Sequence, residues 1–283
     1  MAITAQAVKE LRERTGAGMM DCKRALMETD GNMDEAIKFL RTKGLAAAAK
    51  KAHRAASDGV VVVVGDERAM VMLELNCETD FVARNPDFVG FAEALARQAL
   101  DSGAGKVDEL KAQPFSGEPE HTVEEAVSQR VATIGENIVL NRLERIEAAG
   151  GNTLNSYIHG GGKIGVIVEG TGGVSAEALH DVALHVAASE PRFVNRGEVT
   201  EELLASEREI ALKQAMEQGK PEEIAKKIVT GKMEKFFVQE VLLEQPFAKD
   251  PDKSVAKYLE ESAGKGGTVV RFVRFRLGEG SDE

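Results

Sequence analysis

An α+β fold is predicted, with an N-terminal helical unit, a duplicated strand–strand–helix core and an antiparallel helical hairpin. Three observations carry it. A Val-rich run at 60–64, a turn at Gly65-Asp66-Glu67-Arg68 and a second apolar run ending at Cys77 lead into helix-spaced Phe88, Phe91, Ala92, Leu95 and Ala99. The same layout returns later, with a strand over 153–159, a turn at Gly160-Gly161-Gly162, a strand over 163–169 and helix-spaced Leu179, Val182, Ala183 and Val186. Between 199 and 245, two Glu- and Lys-rich amphipathic segments flank Gly219-Lys220-Pro221, the pattern of two helices folded back on each other. The two halves share too little identity for the sequence alone to prove duplication.

In chain order, residues 1–44 read as three short helices. Thr4 can cap the first, which turns Val8 and Leu11 inward. Thr15-Gly16-Ala17-Gly18 breaks the chain, after which Met19, Cys22 and Leu26 share a face that periodicity assigns to the core. Asn32 opens the third helix, with Met33, Ala36, Ile37 and Leu40 on one stripe, and Gly44 is expected to close it. The Ala-rich segment 45–57, with Lys50, Lys51, His53 and Arg54, reads as a helical connector with solvated cations. After the first strand pair, Asn85-Pro86 starts a helix with Asn85 as cap. Residues 101–121 carry Gly, Pro and acids and are expected to form a surface loop. A helix over 122–133 and a strand through Val139, Leu143 and Ile146 follow. After the hairpin come Gln245-Pro246-Phe247, a helix near 254–262, and a strand over 268–277 that returns to the second sheet. The expected division is 1–54 for the helical unit and connector, 55–140 for one core subdomain, and 141–198 with 246–283 for the other. The hairpin, 199–245, is inserted in the second.

Composition excludes several functions. A length of 283 residues with 43% hydrophobic content holds two or three compact units. The net charge of −11 argues against a general nucleic-acid binder. Cys22 and Cys77 form no disulfide framework and read as buried free thiols. With no run of about 18 apolar residues and no signal-like N-terminus, a cytoplasmic location without membrane binding is expected.

The glycines at 160, 162 and 165 formally spell GxGxxG, but they lie between two strands, where the dinucleotide motif needs a following helix. They read as a hairpin turn. No GxxxxGK[ST] occurs, so no direct nucleotide binding is expected. His53, His121, His159, His180 and His185 form no metal-binding pattern, and no nucleophile has a base at readable spacing. No cofactor, metal or enzymatic activity is therefore expected. His185 lies near an apolar stripe and reads as a hydrogen-bonded core residue.

The most informative stretch joins the first strand pair to the following helix: Glu74-Leu75-Asn76-Cys77-Glu78-Thr79-Asp80-Phe81-Val82-Ala83-Arg84. It reads as strand, then a short loop with Asp80 and Phe81 at its tip. By spacing alone Phe81 is expected to fold back onto its own core, the alternative being insertion into a partner. This stretch resembles the signature loop of the translation elongation factor Ts family. A second stretch, Leu11-Arg12-Glu13-Arg14-Thr15-Gly16-Ala17-Gly18-Met19-Met20-Asp21-Cys22-Lys23-Arg24-Ala25-Leu26, matches independently, and the resemblance covers nearly the whole chain.

The resemblance implies a non-enzymatic guanine-nucleotide exchange factor for elongation factor Tu, forming a heterodimer with it; the hairpin is a candidate for joining two heterodimers. It implies a three-helix ubiquitin-associated-like N-terminal domain and a hairpin that protrudes as a coiled coil. It assigns Thr79, Asp80, Phe81 and Val82 to the exchange loop, with Phe81 wedging into the partner's nucleotide domain and Asp80 disturbing the network that supports magnesium. It makes Arg12, Met19, Met20, Lys23, Ile134, Gly135 and His159 further contacts. The alternative is a helical-hairpin scaffold or chaperone-like binder that drives no exchange. Many relatives continue beyond Gly278-Glu279-Gly280-Ser281-Asp282-Glu283 into a helix that grips the partner, and some carry an apolar pair where Ala248-Lys249 stands. Full exchange at saturation, reached at a higher concentration, is the resulting expectation.

Overall fold

The computed structural model describes residues 3–279 except 172, 219, 220 and 265. The tight turn expected at Gly219-Lys220 and the tail 280–283 lie outside those residues. The chain begins with helices α1 (Ala5–Thr15), α2 (Met19–Glu28) and α3 (Met33–Lys51). Strands β1 (Asp58–Gly65) and β2 (Ala69–Cys77) follow, then a single helical turn, α4 (Asp80–Ala83), and α5 (Pro86–Ser102). Next come α6 (Val107–Lys111), the short hairpin of β3 (Pro114–Phe115) and β4 (Glu118–Thr122), α7 (Val123–Ile134) and β5 (Val139–Glu147). The second half holds β6 (Thr153–His159), β7 (Ile164–Gly170), α8 (Ala176–Ser189), then α9 (Glu201–Glu217) and α10 (Glu222–Glu240). It closes with the hairpin of β8 (Pro246–Phe247) and β9 (Asp250–Ser254), α11 (Val255–Ala263) and β10 (Val269–Arg276).

Two antiparallel three-stranded sheets, ordered β1-β2-β5 and β10-β7-β6, make the centre. Alternation along each strand explains how they stack. Val60, Val62, Val71, Leu73 and Leu75 face a core closed by Phe88, Phe91 and Leu95 of α5. Val166 and Val168 face Leu179, Val182 and Val186 of α8. The opposite faces meet: Val61, Met70, Met72 and Ile146 pack against Leu154, Ile167 and Phe275. The run from Met70 to Leu73 is continuously apolar because the strand is buried on both sides, and Glu74, buried next to it, is paired with Arg142.

Two expectations are corrected here. Helix α3 does not end at Gly44 but continues to Lys51. Gly44 is buried where α3 crosses α7, with Ser128, Gln129 and Ala132 opposite, and Arg41 donates to Glu125. Tertiary packing overrides the local helix-stop signal. The segment 101–121 is not a plain surface loop: Ala104, Leu110, Phe115 and His121 are buried, and the β3–β4 hairpin lies within it. Phe115 meets Phe91 edge to face, with centroids 5.6 Å apart.

Candidate functional site

Thr79 sits in extended backbone, and its hydroxyl accepts from Val82 N–H at 3.4 Å, so a helix starts where an open loop was expected. The turn is short because Asn85 opens α5 at once, its side chain accepting from Asp87 N–H. Ala83 is buried and Val82 packs on the first core, which directs Phe81 outward. Phe81 is 85% exposed. The fold-back expectation for this residue is therefore wrong: a four-residue turn offers one apolar side, and Val82 and Ala83 occupy it. Asp80 is paired to Arg84 at 3.0 Å and remains accessible.

The base of this turn is tied to the loop after α7. Backbone N–H groups of Glu78 and Thr79 both donate to Glu136 Oε2 at 3.0 Å. The Thr79 hydroxyl donates to Glu136 Oε1 at 2.6 Å. In return Glu78 Oε1 accepts from Asn137 N–H at 2.6 Å, which, with Arg54 beside it, holds the Glu78 carboxyl below its ordinary range. Asn137 also donates to the Arg54 carbonyl at 2.8 Å. Thr79–Val82 and Ile134–Gly135 are thereby brought together. Gly135, exposed and left-handed at φ 90°, ends α7 just before the bracing carboxylate. Cys77 lies beneath, donating to Thr79 O at 3.2 Å. Burial, and next the Glu136 charge, push its thiol up to about 12, so it is no nucleophile. Cys22 is likewise a buried free thiol, as both apolar settings suggested.

A second surface lies on α1 and α2. Arg12, Met19, Met20 and Lys23 line one shallow groove with Ile3 and Val8. Met19 is 60% and Met20 67% exposed, so the periodicity that placed Met19 in the core is overturned. Helical side chains lean toward the N-terminus, and Met19 is the first residue of α2, so it projects past the helix end. The core stripe is Cys22, Ala25 and Leu26. His159 belongs to a third surface, exposed at the end of β6, where its Nδ1 lies 3.0 Å from the Tyr157 hydroxyl oxygen. Tyr157 in turn meets the His180 ring edge to face.

The glycine turn beside His159 is a strand connection, with His159 paired to Ile164. A Cβ on Gly162 would lie 2.4 Å from Val60 Cγ2, and one on Gly165 2.6 Å from Val61 Cγ1. These glycines allow the two sheets to approach, a packing role. His185 is fully buried and hydrogen-bonded, as expected. Among the described residues no group of three or more His, Cys, Asp or Glu is placed to hold a metal, and no helix is long and apolar enough to cross a membrane.

Sequence reasoning missed Glu136 and Glu78 as supports of the turn. The available hint is an acid directly after a helix-ending glycine, and it says nothing about a partner 57 residues away.

Comparison with known proteins agrees with the two motifs. The family model described as elongation factor TS matches residues 78–279. Elongation factor Ts of Clostridium perfringens is 48% identical over 290 residues, covering 99% of this chain and 95% of its own. That of Clostridium botulinum is 45% identical with the same coverage. That of Trichlorobacter lovleyi is 45% identical over 296 residues, covering 100% of this chain and 95% of its own. Both the matched family model and these full-length similarities place the chain in the elongation factor Ts family, to which it belongs.

Proposed function

We propose that this chain is a cytoplasmic guanine-nucleotide exchange factor that promotes GDP release from elongation factor Tu during translation elongation. The observation that carries the reading is Phe81: an aromatic side chain 85% exposed on a turn held at its base by several hydrogen bonds. A preorganised aromatic loses little freedom on binding and makes an effective anchor. Phe81 wedges into the nucleotide domain of the partner. Asp80, carried on the same turn, approaches the magnesium network, and its pairing to Arg84 is exposed enough to exchange.

The mechanism is differential binding. A factor that binds the empty partner more tightly than the GDP-loaded one weakens GDP by the same factor. For nucleotide held at nanomolar affinity, about 12 kcal/mol is offset in two steps instead of one. The groove of Arg12, Met19, Met20 and Lys23, the Ile134–Gly135 patch and His159 hold the two proteins in register, and the chain performs no covalent chemistry. The N-terminal helices act as a ubiquitin-associated-like unit, followed by a duplicated core with a hairpin inserted in its second half. Support for duplication comes from Glu74 opposite Arg142 and Glu169 opposite Arg271, each on the middle and outer strands of its own sheet.

The exposed Ile210, Met216, Ile224 and Val238 of the hairpin favour a second reading, a scaffold without exchange activity. Stoichiometric addition to elongation factor Tu loaded with labelled GDP separates the two. Accelerated release is expected; release at the intrinsic rate leaves the scaffold.

A further inference from the structure

The structure assigns to Glu136 the role of a positioning residue, one that couples the Ile134–Gly135 patch to the turn carrying Phe81. This rests on the exchange reading above. A single carboxylate accepts three hydrogen bonds from the root of the turn: two from backbone N–H groups at 3.0 Å and one from the Thr79 hydroxyl at 2.6 Å. Thr79 is also the cap of α4, so the bond that fixes its hydroxyl fixes the start of the helix that presents Phe81. Charge-assisted hydrogen bonds are short and strong, and here they converge on one anchor.

The clasp is reciprocal. Glu136 reaches across to Glu78 and Thr79, and Glu78 reaches back to Asn137 N–H at 2.6 Å. Neither segment can shift without breaking bonds of the other. Gly135 immediately precedes Glu136 and is exposed, with a left-handed backbone that other residues adopt reluctantly. A partner that presses on Gly135 therefore acts on Phe81 through one side chain. The brace also explains how an aromatic stays exposed: α4 is too short to hold itself, since a single helical turn is unstable alone. Without Glu136 the turn is released to sample other conformations, including ones in which Phe81 covers its own core.

The test is a double-mutant cycle on the full chain, read as labelled-GDP release from elongation factor Tu, together with amide exchange of the free protein. In the parent, Phe81→Ala is expected to slow release ~30-fold. In a Glu136→Ala background the same change is expected to cost under ~5-fold, because Phe81 is no longer seated there. Glu136→Gln, which retains one carbonyl acceptor, should fall between. A role in general stability alone would leave the Phe81→Ala factor the same in both backgrounds, and that result overturns the proposal. The Glu78 and Thr79 amides should exchange at least ~10-fold faster in Glu136→Ala while those of α5 and α8 keep their protection. Unchanged protection at 78 and 79 overturns it as well. If Phe81→Ala has no effect even in the parent, the exchange reading fails; the amide measurement then still decides whether Glu136 holds the turn.

Discussion

The two halves of the core, β1 to β5 and β6 to β10, follow one course inside and diverge at the surface. In each sheet the second strand of the half is central. Each central strand buries a glutamate opposite an arginine, Glu74 with Arg142 and Glu169 with Arg271, and a register shift follows both pairs closely. Each half contains a Gln-Pro-Phe hairpin leading to a capped helix. Val123 N–H donates to Gln113 O at 2.9 Å, and Val255 N–H to Gln245 O at 3.0 Å. Each hairpin is pinned by the long helix before it. Gln98 accepts from Ser116 N–H at 2.8 Å and donates to Pro114 O at 2.9 Å. His185 Nδ1 accepts from Ala248 N–H at 3.1 Å, which leaves Nε2 to donate to Gln245 Oε1 at 2.8 Å.

The divergence lies in what is added between these shared parts. From β2 to α5 the chain passes through α4 and exposes Phe81; from β7 to α8 no helical turn occurs among the described residues before the cap Ser175. Between the pinning helix and the hairpin, the first half has α6 and the second has α9 and α10. A shared interior thus supports two different surface devices, as expected when buried packing sets the scaffold and connecting segments carry function.

The largest expected effect separates device from scaffold. Phe81→Ala should slow GDP release about 30-fold, from a loss of about 2 kcal/mol of binding energy. Its unfolding midpoint should match the parent, because a side chain 85% exposed supports no core. A lowered midpoint in step with the lost activity would mean that the turn belongs to the scaffold, and the distinction would fall.

The next effect tests whether Gln98 and His185 do the same job. His185→Ala removes the partner of Ala248 N–H and of Gln245 inside the second core, at a cost of about 2–3 kcal/mol in urea unfolding. His185→Gln should recover much of this, since an amide can both accept and donate, as Gln98 does. Burial, the main cause, holds the His185 pKa below its ordinary 6.5 despite the Gln245 bond. The native state thus keeps the ring neutral while the unfolded chain takes up a proton below that value. The contribution is complete above about pH 6.5 and drains as pH falls toward the lower native pKa. The parent should therefore lose stability relative to His185→Gln only on the acid side. A constant difference from pH 5 to pH 8 would rule out this titration.

The seam between the halves should respond less. Gly162 has φ 94°, and its added Cβ would meet Val60 at 2.4 Å and the Val61 carbonyl at 3.2 Å. Gly162→Ala is expected to cost about 1–2 kcal/mol through overpacking and backbone strain. Equilibrium dialysis should find no GDP or GTP bound to the parent, in keeping with a packing role. Saturable nucleotide binding abolished by Gly162→Ala would restore the phosphate-loop reading.

How much of this was legible in the sequence follows from the range of each interaction. Local signals were reliable: Thr4, Asn32 and Asn85 cap helices, and Gly160-Gly161-Gly162 joins two paired strands. Signals that compete with tertiary contacts misled. Gly44 reads as a stop but fits under α7, and Phe115 lies in a Gly- and Pro-rich segment yet fills the first core. Met19 has core spacing, but no element covers the start of α2. The paired motifs Gln113-Pro114-Phe115 and Gln245-Pro246-Phe247 were visible as letters; that both lead to equivalent hairpins needed the strand pairings. Phe81 shows the limit most sharply. Its identity suggested a family role, while its exposure depends on Val82 and Ala83 filling the only apolar side of a turn that Glu136 anchors from a distant segment.

The smallest effect concerns how the second device is fastened. Arg196, at the root of the α9–α10 hairpin, bonds both Glu234 of α10 and Glu244 beyond it, with contacts of 2.7 Å and 2.6 Å from Nη2, and lies over the Phe237 ring at 4.1 Å. Two carboxylates raise its pKa further above an already high value, so it is cationic throughout the working range. Its side chain is nevertheless half-exposed, and water and salt weaken such pairs. Arg196→Ala should therefore cost about 1 kcal/mol or less in global unfolding, well below His185→Ala. Its effect should instead be local, as faster amide exchange near the end of α10, where Val241 N–H bonds Phe237 O at 2.9 Å. The contrast with the first half is one of attachment: the turn carrying Phe81 is held by a convergent clasp, the hairpin by a surface network that yields to salt. Raising the salt concentration should reproduce part of the Arg196→Ala exchange pattern in the parent. A salt-independent pattern, or a global loss as large as that of His185→Ala, would show the hairpin root to be as firmly built as the turn.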